Sequence, residues 1–164
     1  MRYAQMREYD IANGPGIRCT LFVSGCTRNC KGCFNKEYQD FNYGSIWDDA
    51  AKEKFMSYVT NERVSGVTIL GGEPMEQDDD LLQLLKAIKG KTNKNIWIFS
   101  GYTYEQLLER GKEEVLKYCD VLVDGQFIES KKDLKLRFKG SSNQRTIDLN
   151  KTREIGTIVL YDFD

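Results

Sequence analysis

Five short apolar runs stand out from an otherwise polar chain. CTLFVS (19–24), GVTIL (66–70), NIWIFS (95–100), DVLVDG (120–125) and TIVLYD (157–162) are rich in β-branched residues, and each fits a strand buried on both faces. Between them lie amphipathic stretches of helical length. Residues 48–62 carry Ala51, Phe55, Tyr58 and Val59 at helical spacing, and 79–89 carry a wide stripe of Leu81, Leu82, Leu84, Leu85 and Ile88. Residues 103–118 repeat the pattern with Leu107, Leu108, Val115 and Leu116, and Gly111 is expected to split that helix in two. Asp48 and Thr103 are candidate N-caps, Thr103 with Gln106 three residues on as a capping box.

Strands alternating with helices predict an α/β fold with a mostly parallel sheet. The 164 residues form one domain, 1–164, with neither repeats nor a low-complexity linker. A closed eight-stranded barrel takes roughly 250 residues. The expectation is therefore an open partial (β/α) barrel, or a doubly wound sheet, of about five to six strands. Either fold places its site at the carboxyl ends of the strands. Here the cysteine loop follows the first run, GGEP (71–74) the second, SGYTYE (100–105) the third and DGQF (124–127) the fourth. Glycines and Pro74 could simply end strands, but the recurrence predicts four loops meeting on one face.

Composition narrows the chemistry. The 24 basic and 25 acidic residues nearly cancel and are not segregated, which argues against a nucleic-acid surface. The opening MRYAQMREYD has no apolar core and no stretch approaches 18 apolar residues, so a cytoplasmic protein is expected. There is no histidine, which removes the commonest acid–base group, the usual catalytic zinc ligand and any Cys–His pair. A cofactor is expected to carry the reaction.

Three of the five cysteines, Cys26, Cys30 and Cys33, fall within SGCTRNCKGCFN as C-x3-C-x2-C, a spacing suited to an iron–sulfur cluster. Three thiolates leave one iron of a 4Fe–4S cube without a protein ligand, and an open metal position binds substrate. Gly25 and Gly32 ease the path of the loop around a bulky group. A structural zinc is the rival, its fourth ligand being Cys19, Cys119 or a carboxylate. Cys19 and Cys119 read instead as buried small apolar residues.

C-x3-C-x2-C after a first strand, with GGEP after the second, resembles the radical S-adenosylmethionine superfamily. The resemblance implies one 4Fe–4S cluster on Cys26, Cys30 and Cys33, with the amino and carboxylate groups of S-adenosyl-L-methionine on the fourth iron. It implies that Gly71, Gly72 and Glu73 receive the methionine ammonium group, and that Ser100, Gly101 and Asp124 reach the adenosyl moiety. For Asp124 with Gly125 a tight turn is an equal alternative. Many members carry an aromatic residue just before the third cysteine, where this chain has Gly32. The adenine contact then falls to Gly32, Cys33 and Phe34.

NGPGIR (13–18), SGYTYEQL (100–107), VDGQF (123–127) and FKGSSNQR (138–145) in one short chain resemble the activases of anaerobic, class III ribonucleotide reductases, over about residues 9–147. That resemblance implies two partners, the large subunit of such a reductase and a flavodoxin or ferredoxin-like electron donor. It also makes Arg18, Arg28 and Arg145 candidate site or partner contacts, Arg145 for a carboxylate. GSSNQR is otherwise a solvated turn. Two alternatives stay open: an activase of the pyruvate formate-lyase type or another radical enzyme, and a non-catalytic metal-binding module. Residues 148–164 carry no usable motif.

Overall fold

The computed structural model describes residues 1–28, 30–33 and 35–163. Seven strands form one sheet: β1 (Arg2–Asp10), β2 (Arg18–Ser24), β3 (Ser45–Ile46), β4 (Gly66–Gly71), β5 (Asn95–Phe99), β6 (Val121–Asp124) and β7 (Arg145–Asp148), in the order β3-β1-β2-β4-β5-β6-β7. Only the centre, β2-β4-β5-β6, is parallel; β1, β3 and β7 pair antiparallel at the two edges. The helices are α1 (Asp49–Val59), α2 (Asp79–Lys91), α3 (Tyr104–Glu109), α4 (Glu113–Leu116) and α5 (Leu149–Ile155).

Four of the five apolar runs form the parallel centre. The fifth does not form a strand. In 157–163 only Leu160 bridges β7, at Ile147. The chain then turns inward, placing the rings of Tyr161 and Phe163 5.2 and 6.5 Å from that of Trp97 on β5. Burying those aromatics over a strand two places away takes the segment off the sheet edge, so its apolar character comes from ring packing.

β1 hides behind an irregular pattern. Its register shifts between Tyr3 and Gln5 and again between Arg7 and Asp10. Each extra residue flips the faces, so Tyr3 and Met6 pack on the same core despite their opposite parity. β7 is short and half polar, and gives no periodic signal.

Helices α1, α2, α3 and α5 each begin at a capping side chain. Asp48 accepts from the Ala51 N–H at 2.8 Å, and Thr103 and Gln106 complete the expected capping box ahead of α3. Gly111, at φ +72°, separates α3 from α4. The helices bury Phe55, Leu84, Leu85, Ile88 and Leu107 against Leu21, Ile69, Ile98 and Leu122 of the sheet. The opposite sheet face is left to a smaller set, Phe22, Leu70, Trp97, Phe99 and Val123, and the cavity opens there.

Candidate iron–sulfur and cosubstrate site

Parallel strands β2, β4, β5 and β6 end side by side, so the loops after them are neighbours. Each is tied to the next by hydrogen bonds. Gly72 N–H donates to the Val23 carbonyl and Glu73 N–H to that of Gly25, at 2.8 and 2.7 Å. Gly25 and Cys26 N–H groups donate to the carbonyls of Tyr38 and Gln39. Further along the rim, Ser100 N–H donates to Val123 and Gly125 N–H to Tyr102. The packing leaves no room for side chains at the crossings. A Cβ on Gly72 would lie 2.5 Å from the Tyr38 carbonyl oxygen and 2.6 Å from that of Gly25.

Glu73 is the central fastener. It is 1% exposed; its Oε1 accepts from Gly101 N–H at 2.7 Å, and its Oε2 from the Ser100 hydroxyl and Met75 N–H at 2.9 and 3.0 Å. Burial pushes its carboxyl up to about 7, outweighing the three donors that favour the charged form. One layer out, Glu76 accepts from the backbone and the hydroxyl of Thr27, tying the cysteine loop to the GGEP turn a second time.

The loops enclose a cavity of about 440 Å³, within the usual range of small-molecule sites. Cys26, Cys30 and Cys33 all line it, with Gly71, Gly72, Glu73, Ser100 and Gly101 opposite. Phe22, Leu70, Phe99, Phe127, Leu136 and Phe138 give it apolar walls. Among the described residues no three His, Cys, Asp or Glu side chains are grouped to hold one metal ion. A cube cluster asks for something different: separate thiolates around a void, each taking its own iron. Three thiols lining one cavity, beside glycines that let the loops around it pack closely, fit that group.

A family model described as a 4Fe-4S single cluster domain matches residues 12–147. The anaerobic ribonucleoside-triphosphate reductase-activating protein of Haemophilus influenzae is 38% identical over 149 residues, covering 88% of this chain and 96% of that protein. The protein of the same name from Escherichia coli K12 gives the same figures, and that of enterobacteria phage T4 is 32% identical over 148 residues, 88% of this chain and 92% of the phage protein. The chain belongs to the family of anaerobic ribonucleoside-triphosphate reductase-activating proteins.

Not every residue proposed from the sequence meets at the family's cysteine loop. Arg18 does not. It is 1% exposed at the opposite, amino ends of the strands, where its guanidinium donates to Thr68, the Val67 carbonyl and the Asn95 side chain at 2.7–2.8 Å. Burial lowers its pKa to about 10, so it stays charged at neutral pH, as an internal brace closed to any partner. Asp124 is also 1% exposed, and its carboxylate accepts from Tyr104 N–H and from Arg145 Nε and Nη2, at 2.7, 3.1 and 2.5 Å. Arg145 also reaches Glu105 at 2.6 Å, so the carboxylates it takes are the chain's own. Its two partners raise its pKa. Gly125, at φ +103°, makes the turn reading at this strand end apt as well.

Gly32, at φ +73°, lies outside the cavity, where a Cβ would press on the Glu129 carboxyl carbon at 2.8 Å. Phe34 lies outside the described residues. Cys19 and Cys119 are buried in the helix-side core, which pushes both thiols up to about 12. They pack as small apolar residues. Among the described residues no helix is long and apolar enough to cross a membrane.

Two contributors lie within the quoted strand-end motifs but were not singled out there. Tyr102, 5% exposed, holds the guanidiniums of Arg28 and Arg110 against its ring. Gln126 bonds to Arg28 beside the cysteines. Their places after β5 and β6 put them in the predicted site loops, but nothing in their residue types set them apart there.

Proposed function

We propose that this chain is the activating enzyme of an anaerobic ribonucleotide reductase, with a 4Fe–4S cluster on Cys26, Cys30 and Cys33 and S-adenosyl-L-methionine in the adjoining cavity. The observation that carries the reading is the meeting of three thiols and four strand-end loops on one cavity, in a chain so similar to named activating proteins. When bound, the cluster would supply the electron that splits the sulfonium reductively, releasing methionine and a 5′-deoxyadenosyl radical able to take a hydrogen from a glycine of the reductase.

The rest falls to the chain's own residues. Backbone carbonyls of the Gly71–Glu73 turn receive the methionine ammonium, while Glu73, its oxygens already engaged, holds that turn against Ser100 and Gly101. The Ser100 hydroxyl and the Asp124–Arg145 pair fix the edges on which the adenosyl group lies. Phe34 backbone and ring, with Cys33, remain our reading of the adenine contact; Gly32, turned toward Glu129 outside the cavity, drops out of it. Apolar walls exclude water and offer a reactive carbon radical little to attack. No general base is needed, in keeping with a chain without histidine.

In this reading residues 1–164 act as one domain whose sheet curls into an open partial barrel of radical S-adenosylmethionine type. The open side admits the reductase large subunit, and a flavodoxin or ferredoxin-like protein supplies electrons in the cytoplasm. The test is anaerobic reconstitution, reduction, and incubation with S-adenosyl-L-methionine and the reductase. A glycyl radical seen by electron paramagnetic resonance is expected, and its absence overturns the proposal. Cys30→Ala is expected to abolish release of 5′-deoxyadenosine, because two thiolates should not retain the cluster. A colourless protein holding one zinc would point instead to a binding module.

A further inference from the structure

We infer that Arg28, held in place by Tyr102 and Gln126, fixes a positive charge beside the cluster cysteines and so sets the reduction potential of the cluster. The inference rests on the cluster reading above. Arg28 stands between two of the cluster cysteines in the sequence, and its side chain crosses the rim to the loop after β5. There its guanidinium carbon lies 4.3 Å from the centroid of the buried Tyr102 ring, which also carries Arg110 at 4.2 Å. The crossing depends on a residue without a side chain: a Cβ on Gly101 would lie 2.6 Å from Arg28 Cδ and 2.8 Å from its Nε. A flexible surface arginine has no such slot. This one holds its charge in place.

Gln126 is the second hold. Arg28 Nη2 donates to Gln126 Oε1 at 3.3 Å. Arg28 lines the same cavity as Cys26, Cys30 and Cys33, and its backbone N–H donates to the Cys26 sulfur at 3.4 Å. Reducing a cluster adds negative charge to its irons and sulfurs. A fixed positive charge and hydrogen bonds to a ligand sulfur stabilise that state more than the oxidised one, so they raise the potential. Arg28 and Gln126 are positioning residues: neither ligates iron.

The experiment is a redox titration of the reconstituted full chain, followed by electron paramagnetic resonance, with neither S-adenosyl-L-methionine nor reductase present. Arg28→Gln and Gln126→Leu should each shift the equilibrium against the reduced cluster by about three- to tenfold, tenfold being about 59 mV for one electron. Arg28→Lys keeps the charge but loses the planar fork, and should fall between wild type and Arg28→Gln. Either Arg28→Gln or Gln126→Leu titrating at the wild-type potential overturns the inference. Should Arg28→Gln fail to fold, Gln126→Leu, altered at an exposed side chain, decides it alone. Failure of the wild-type chain to take up a cluster would overturn the cluster reading itself, an outcome distinct from full uptake with unmoved potentials.

Discussion

Asp124→Asn distinguishes a carboxylate that fastens the fold from one reserved for a ligand. The two oxygens of Asp124 accept three hydrogen bonds, with Oδ2 shared between Tyr104 N–H and Arg145 Nη2 and Oδ1 taken by Arg145 Nε. An amide of the same shape has one acceptor, so its NH2 must face a donor, and the ion pair is lost. Removing one partner of a buried pair costs about 3–5 kcal/mol. Arg145 is 32% exposed and keeps Glu105, so solvent and the second carboxylate reduce the expected loss to about 2–3 kcal/mol. At 2–4 °C per kcal/mol for a chain of this size, melting should fall by about 5–10 °C. Urea unfolding of the cluster-free protein, read by tryptophan fluorescence, gives the number. Arg145→Met and the double variant complete a cycle that isolates the coupling. A loss below about 0.5 kcal/mol, or a coupling near zero, would refute the fastening role.

Two further outcomes follow from the rim. Glu73 has a folded pKa of about 7, above the ordinary glutamate value, so the folded state holds its proton where the unfolded state has lost it. Its contribution to stability is therefore full below about pH 4.5 and declines as pH rises through 7. In Glu73→Gln that part of the pH slope should vanish from a denaturation series, and an unchanged slope would locate the titration elsewhere. Gly72→Ala puts a methyl group 2.5 Å from one backbone oxygen and 2.6 Å from another, neither of which can rotate away. A loss of about 2 kcal/mol and reduced iron and sulfide after reconstitution are expected, and wild-type iron content in a stable variant would contradict the close-packed rim.

How far the sequence could be read depended on the kind of force that shapes each part. The central strands and three helical stretches announce themselves because burial imposes a period, and caps such as Asp48 and Thr103 act over three residues. The cysteine loop was legible because its chemistry demands a particular spacing. β1 was not, since two register shifts break the alternation that would reveal it. TIVLYD misled because ring packing on Trp97 and strand pairing ask for similar residues. Arg18 shows the same limit from the other side. The resemblance makes it a candidate site or partner contact, yet its partners, Val67, Thr68 and Asn95, lie about 50 to 80 residues away in sequence. Only the parallel register, which sets Arg18 opposite Gly66 and Gly66 opposite Asn95, brings them together.

The same register explains why a small open sheet can present a preformed site. Parallel neighbours release their chains at one level, so each loop emerges with its backbone groups freed beside those of the next. Buried donors and acceptors must be satisfied. At this rim the loops satisfy one another: Val23 and Gly25 take the N–H groups of Gly72 and Glu73, and Glu73 in turn takes those of Met75 and Gly101 and the Ser100 hydroxyl. Moving any one loop therefore breaks bonds in two. Glu73 matters most because it is the only one of these acceptors that spends a buried carboxylate on the task. Its raised pKa is the sign of that burial. A ligand entering the cavity meets a turn already held open, so little of its binding energy is lost in ordering the site.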